Sequence, residues 1–167
     1  MAPQRRIVVT DANVVINLLH VDALPIVAGL SDYEFVIVDH AAEEITDEQH
    51  ALALQIAFDQ GHLKRVSLVN SDALALFVEL VQVMGRGEAA SLALAHSKNW
   101  YIACDEKRVF RRKAVELLGE DRLLTTPGII VLCIRQGLIT LDDADRMKAV
   151  LDAKRFKMTF RSFSEVV

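Results

Sequence analysis

The chain has 167 residues, a hydrophobic fraction of 52% and a formal net charge of −4. This length is enough for one domain with its own core, so we expect a single domain over residues 1–167, with a C-terminal helix and tail from about residue 140 as an extension. The negative charge excludes a protein that grips nucleic acid over its whole surface, but it allows a local contact.

Membrane insertion and secretion are not expected. No apolar run reaches the roughly 20 residues of a spanning helix. Asp11 and Asn13 interrupt the first apolar stretch and no small-residue cleavage site follows, so the sequence predicts a cytoplasmic protein without a signal peptide. Cys104 and Cys133 lie in apolar segments and are expected to be reduced and buried. The histidines do not have zinc-site spacing, so zinc is not expected.

In chain order, short β-branched runs alternate with longer helical patterns. Strands are predicted at residues 7–10, 35–38, 66–69, 101–104 and 122–124. Helices are predicted at residues 40–60, 72–84, 88–96, 107–118, 127–136 and 140–154, and the last begins with a capping box formed by Thr140 and Asp143. This alternation is typical of βαβ units and predicts an α/β fold with three layers, α/β/α, and a central, mostly parallel sheet. The tail at residues 156–167 is not assigned.

Two aspartates follow predicted strands directly. Asp11 follows the strand at 7–10, and Asp105 follows the strand at 101–104. The carboxyl ends of parallel strands share one edge of the sheet, where α/β proteins bind ligands. If the two strands are neighbours, they lie about 4.8 Å apart and one Mg²⁺ can bridge both carboxylates.

Two glutamates occur at similar junctions. Glu88 begins a helix after Gly85-Arg86-Gly87, and Glu44 lies in the first turn of the predicted helix at 40–60. Each acid alone has an ordinary explanation, either as a helix cap or as a favourable charge at a helix N-terminus. Together, however, carboxylates about 4 Å apart repel by about 1 kcal/mol in water and about 4 kcal/mol at an effective dielectric of 20. A divalent cation removes that repulsion, so the four acids predict a Mg²⁺ or Mn²⁺ site.

The choice between Glu43 and Glu44 depends on the helix register. Adjacent residues point about 100° apart on a helix. With Ile45, Leu52 and Ile56 on the buried face, Glu44 lies on the border of that face and Glu43 faces water. We therefore predict that Glu44→Gln loses most metal-dependent cleavage and that Glu43→Gln keeps it.

The acidic motifs also resemble a known family. VVTDANVVINLL resembles the opening strand of PIN domains, and DHAAEEI, GRGEAASLALA and YIACDEKRVFRR resemble their second, third and fourth acidic motifs. Together with TTPGIIVLCIRQGLI, they are similar to a bacterial and archaeal branch related to VapC-type toxins. The resemblance covers most of the chain and implies a PIN-like fold. Ala12, where many relatives have a hydroxyl residue, and Glu88, where toxins more often carry Asp, depart from the pattern.

The resemblance also implies an activity, which is hydrolysis of RNA phosphodiester bonds with one or two Mg²⁺ or Mn²⁺ ions. Asp11 and Asp105 would be the principal catalytic metal ligands, Glu88 and Glu44 would complete the set, and Asn13 would orient Asp11 or a water. RNA is the implied substrate, and the resemblance leaves open a toxin role with an antitoxin protein as partner, and a homodimer.

Basic residues beside the acids are candidate contacts to the RNA backbone. The candidates are Arg86, Lys107, Arg108 and Arg111. A solvated helix face explains them equally well. Two other functions stay open: a non-catalytic PIN fold that binds RNA or protein, and a Mg²⁺-dependent phosphohydrolase. The second usually needs an Asp nucleophile in a motif such as DxDxT, which DANVV lacks.

Overall fold

A computed structural model describes residues 3–106 and 108–167 of the chain. In these residues five strands form one parallel sheet in the order β3-β2-β1-β4-β5. The strands are β1 (Arg6–Thr10), β2 (Tyr33–Val38), β3 (Lys64–Val66), β4 (Tyr101–Ala103) and β5 (Leu123–Leu124). The predicted α/β class and parallel sheet are therefore confirmed.

Helices cover both faces of the sheet. They are α1 (Ala12–His20), α2 (Leu24–Val27), α3 (Asp39–Ala42), α4 (Glu48–Asp59), α5 (Ser71–Leu80), α6 (Arg86–Lys98), α7 (Val109–Leu118), α8 (Thr126–Arg135) and α9 (Leu141–Ala153). Helix α6 packs on β1, β2 and β4, with α3, α5 and α7 around it, whereas α1 packs with α2, α4, α8 and α9. The capping box predicted at Thr140 and Asp143 is present at the start of α9. No helix in the described residues is long and apolar enough to cross a membrane.

The core makes the carboxyl edge of the sheet rigid. Strand β1 is buried from Val8 onward, and α6 is buried on nearly all sides from Ala89 to Ala95. Because most of these helical side chains are small, α6 approaches the sheet closely. Burial of apolar surface on both faces stabilises the strands from which the acidic residues extend.

The strand order reverses between β1 and β4. From β1 the chain builds β2 and β3 on one side, then returns to place β4 and β5 on the other. Thr10 is in register with Ala103, and the Asp11 N–H donates to the Ala103 carbonyl over 2.9 Å. The two strands that carry Asp11 and Asp105 are therefore neighbours, at the point where open α/β sheets bind ligands.

The single helix predicted at residues 40–60 is wrong. Helix α3 ends at Ala42, and α4 begins only at Glu48, where the Asp47 side chain accepts from the His50 N–H over 3.0 Å. This cap competes with a continuous helix because it satisfies the first N–H groups of a new one. Leu52 and Ile56 are 65% and 46% exposed, so the apolar face used to set the register is not the buried one.

The predicted strand at 66–69 is also displaced. The structure places β3 at Lys64–Val66, where it pairs with β2 at the sheet edge, and Val69 is 79% exposed. The pairing ends at Val66, and the next residue, Ser67, donates from its hydroxyl to the Asp39 carboxylate over 2.6 Å. The β-branched residues of this segment therefore predicted that a strand exists, but not which residues pair with β2.

Candidate metal centre

Asp11 is the most buried acid at the carboxyl edge of the sheet, with 1% of its surface exposed. It precedes α1, yet its side chain makes no capping hydrogen bond to that helix. Its Oδ2 accepts from the Cys104 thiol over 3.7 Å, and its Oδ1 has no hydrogen-bond partner among the described residues. A simple N-cap therefore does not explain this carboxylate, because a cap would satisfy the oxygen that is left unpartnered.

The electrostatics around Asp11 are unfavourable for its charge. Burial, and next the charges of Glu88 and Glu44, raise the pKa of Asp11 to about 7. Burial, and next Glu106, also raise the pKa of Glu88. Desolvation and like charges both disfavour an ionised carboxylate, and a nearby cation reverses both effects.

Three side chains converge closely enough to share an ion. One ligand atom from each of Asp11, Glu88 and Cys104 lies within 4.8 Å of the others. We call these residues the acidic cluster. Carboxylate oxygens suit Mg²⁺ and Mn²⁺. Together with the unpartnered Asp11 oxygen, the two acids fit a hard divalent cation. The thiol is softer, and burial raises its pKa well above the usual value.

Glu44 lies beside this cluster, at the N-terminus of α6. Its Oε1 accepts from the Gly87 N–H over 2.9 Å. The approach needs a glycine, because a Cβ on residue 87 would lie 2.6 Å from both Glu44 carboxylate oxygens. Glu43 instead points to solvent and pairs with Arg65 over 3.8 Å. The structure thus brings Glu44 rather than Glu43 toward Glu88, although through a turn and not through the predicted helix register.

Asp105 is held differently from Asp11. Its Oδ1 accepts from the Thr126 N–H over 2.8 Å, and its Oδ2 accepts from the Thr126 hydroxyl over 2.6 Å and from Asn17 Nδ2 over 3.1 Å. Asp105 does not cap α7, since that role falls to Glu106, which accepts from the Phe110 N–H over 3.0 Å. Asp105 does not belong to the acidic cluster, but it directly follows Cys104 in the chain and lines the same cavity as that residue.

Sequence reasoning missed three residues at this edge: Asn17, Thr126 and Cys104. Asn17 follows the candidate Asn13 by one helical turn, and this spacing was a usable signal, because it places both amides on one side of α1. Asn13 itself is exposed and makes no side-chain hydrogen bond among the described residues. The role of Thr126 depends on a contact 21 residues away in the chain, for which no local pattern exists.

Comparison with protein families agrees with this geometry. A family model, DUF3368, described as a PIN domain, matches residues 7–167. The chain belongs to the PIN-domain family. PIN domains are generally nucleases. No curated protein matches the sequence at a significant level.

The basic residues of this PIN domain differ in availability. Arg86 and Arg108 are exposed, and neither forms an ion pair among the described residues. Arg111 pairs with Glu120, and Lys107 lies outside the described residues. Arg111 also borders a cavity of about 200 Å³ between α7 and the last two strands, which Cys104, Asp105 and Glu106 line.

Proposed function

We propose that this PIN domain is a metal-dependent endoribonuclease that hydrolyses RNA phosphodiester bonds with Mg²⁺ or Mn²⁺ at the acidic cluster. The observation that carries the proposal is Asp11, a buried carboxylate with an unpartnered oxygen and a second acid, Glu88, within 4.8 Å. A buried and unpaired charge costs several kcal/mol. A divalent cation is the partner that offsets this cost for both acids together.

The roles of the acids follow from their contacts. Asp11 and Glu88 would hold the ion, and Glu44 adds negative charge from the N-terminus of α6. Asp105 Oδ1 accepts a single hydrogen bond, so one lone pair remains on this fixed oxygen for an ion or a water. When bound, the ion supplies Lewis-acid polarisation of the scissile phosphate and activation of water. Arg86 and Arg108, which are exposed and form no ion pair among the described residues, would neutralise the neighbouring phosphates of the substrate.

The narrower form of the proposal is a toxin that an antitoxin protein inhibits, with RNA as substrate and either one chain or a homodimer as the active unit. Membership of the PIN family supports the nuclease part of this proposal. A non-catalytic module that binds RNA or protein is the main alternative. The unpartnered oxygen of Asp11 favours catalysis, because a module without a metal has no use for a buried, unsatisfied carboxylate.

The first prediction tests this function directly. We expect an end-labelled single-stranded RNA to be cleaved with MnCl₂ or MgCl₂ and to stay intact with EDTA. Asp11→Asn should abolish cleavage, because it removes the charge that binds the ion, while circular dichroism shows an intact fold. Glu43→Gln is the matched control, since Glu43 lies on the solvent side of the same region.

The activity of these variants decides the proposal. Full cleavage by Asp11→Asn, or cleavage that EDTA does not diminish, would refute a metal-dependent site at this edge. Binding of the RNA without any cleavage under these conditions would favour the non-catalytic module.

A further inference from the structure

A second cavity lies next to Asp105. Its volume is about 300 Å³, which is at the lower end of the range for small-ligand sites. Its walls are the end of β4, the start of α8 and the C-terminal segment that the sequence left unassigned. The lining residues of the segment are Phe156, Lys157, Met158, Thr159 and Phe160.

The C-terminal segment is fixed at both ends. At its start, Arg155 adopts a left-handed conformation with φ of 67°, and the Phe156 N–H donates back to the Leu151 carbonyl over 2.9 Å. At its far end, the Asp145 carboxylate accepts from the Phe163 N–H over 2.8 Å, and the Phe163 ring is fully buried. The cavity wall is therefore preformed, which lowers the entropic cost of binding a ligand.

The wall has an aromatic surface. The Phe160 ring packs against Phe163, with ring centroids 4.9 Å apart. The Phe156 ring is half-buried and makes no ring contact among the described residues. A flat aromatic face at the side of a cavity is a platform on which a planar heterocycle can stack.

The same wall has free polar groups. The backbone N–H groups of residues 157–160 donate no hydrogen bond within the part of the chain that the structure describes. The Lys157 ammonium donates to the Asp152 carbonyl over 3.0 Å, and among the described residues no carboxylate oxygen pairs with it within 4 Å, although its charge reaches the Asp152 carboxylate. A heterocycle with donors and acceptors at its edge and a phosphate attached matches this combination of groups.

We propose that this cavity is a subsite for one unpaired base of the RNA substrate, with the base stacked on Phe156 and its phosphate beside Lys157. This inference rests on the proposed nuclease function. Asp105 lines this cavity, directly follows Cys104 of the acidic cluster in the chain, and shares with Cys104 the lining of the cavity of about 200 Å³. A base held there belongs to a nucleotide close to the scissile bond, so the subsite selects where a single strand is cut. A paired base has no free edge or face to present, and double-stranded RNA is therefore a poor substrate.

The test uses binding and cleavage of short single-stranded RNAs that carry one abasic position, moved along the strand. Binding is measured by fluorescence anisotropy with EDTA present, so that no cleavage occurs. For the wild-type protein, one abasic position should weaken binding about tenfold, in line with one lost stacking contact. With Phe156→Leu, intact RNA should bind about tenfold more weakly, and the same abasic position should cost nothing further.

Matched variants separate stacking from folding defects. Phe156→Tyr keeps an aromatic face and should restore wild-type affinity. Lys157→Ala should weaken binding of every RNA and reduce its salt dependence, whereas Lys154→Ala, a cation nearby that does not line the cavity, should bind as the wild type does.

The outcomes distinguish this inference from the proposed function. Metal-dependent cleavage in which Phe156→Leu binds intact RNA normally, or in which no abasic position has an effect, would overturn the subsite and leave the nuclease standing. Coupling between Phe156 and one abasic position without any cleavage would refute the nuclease and leave the subsite as a binding site.

Discussion

Asp11 directly follows β1 and Asp105 lies two residues beyond the end of the neighbouring strand β4, and the environments of the two carboxylates are opposite. Asp11 is buried, one of its oxygens has no partner in the part of the chain that the structure describes, and burial and like charges raise its pKa to about 7. Asp105 is more exposed and accepts three hydrogen bonds from Thr126 and Asn17. One carboxylate lacks a counter-charge, and the other is satisfied by the protein itself.

The two environments predict different roles: Asp11 binds the ion, and Asp105 orients the groups around it. A carboxylate whose lone pairs are mostly occupied is oriented by its donors, and it offers one defined oxygen to the site. Asp11 accepts only from the Cys104 thiol among the described residues, so its other oxygen stays available to a cation. We therefore expect Asp11 to determine whether the metal binds, and Asp105 to determine how well the bound site works.

The largest expected effect is on cleavage by the two asparagine variants. Asp11→Asn should show no detectable Mn²⁺-dependent cleavage. Asp105→Asn should lose about 10- to 100-fold, the loss typical of residues that orient a metal site, because an amide keeps one acceptor oxygen. Initial rates on one RNA at saturating Mn²⁺ measure the difference. Equal losses in both variants would show that the two acids have the same role.

Metal binding should change the melting temperatures of the Asp11 and Asp105 variants by different amounts. Mn²⁺ at 100 times its dissociation constant stabilises the folded state by about 2.7 kcal/mol. For a chain of this size that is a rise of about 5 to 10 °C in melting temperature. We expect this rise in the wild type, most of it in Asp105→Asn, and almost none in Asp11→Asn. Scanning fluorimetry at matched ionic strength measures it, and a full shift in Asp11→Asn would place the ion elsewhere.

Much of this arrangement could be predicted from the sequence, and the failures have physical causes. Asp11 and Asp105 were found because strand ends in a parallel sheet are determined by local pattern and topology. Glu44 was chosen from a helix register that is wrong, because the cap at Asp47 interrupts the predicted helix at residues 40–60. The hydrogen bonds of Asp105 could not be predicted, because its partners lie 21 and 88 residues away in the chain.

The metal-free protein should become less stable as pH rises. This is the opposite of the usual effect of a carboxylate, whose pKa is normally lowered by folding. The folded state keeps a proton on Asp11 up to a pKa of about 7, whereas the unfolded chain releases it near 3.8. Between these values the folded state binds more protons, so the free energy of unfolding falls as pH rises. From pH 5.5 to pH 8 the loss from Asp11 alone is about 2 kcal/mol.

Urea denaturation in EDTA at both pH values measures this loss. Asp11→Asn cannot ionise and should show a much flatter pH dependence, which isolates the contribution of this carboxylate. Addition of Mn²⁺ to the wild type should restore most of the stability at pH 8. An unchanged slope in Asp11→Asn would mean that the buried charge is not the source of the pH dependence.

The smallest expected effect concerns Gly87, through which Glu44 reaches the cluster. In Gly87→Ala the new Cβ would overlap the Glu44 carboxylate, which is exposed and can swing away. The unfolding free energy should therefore fall by only about 1 kcal/mol, the value of the lost hydrogen bond to the Gly87 N–H. The cleavage rate should fall by more than this loss of stability explains, because Glu44 no longer lies beside Glu88. Gly85→Ala is the matched control, because its Cβ meets no atom within 4 Å. Replacing Gly by Ala at a helix N-cap costs about 0.5 to 1 kcal/mol, which is close to the loss expected for Gly87→Ala. Comparable melting temperatures with cleavage reduced only in Gly87→Ala would tie Glu44 to the acidic cluster, whereas equal cleavage in the two variants would remove Glu44 from the site.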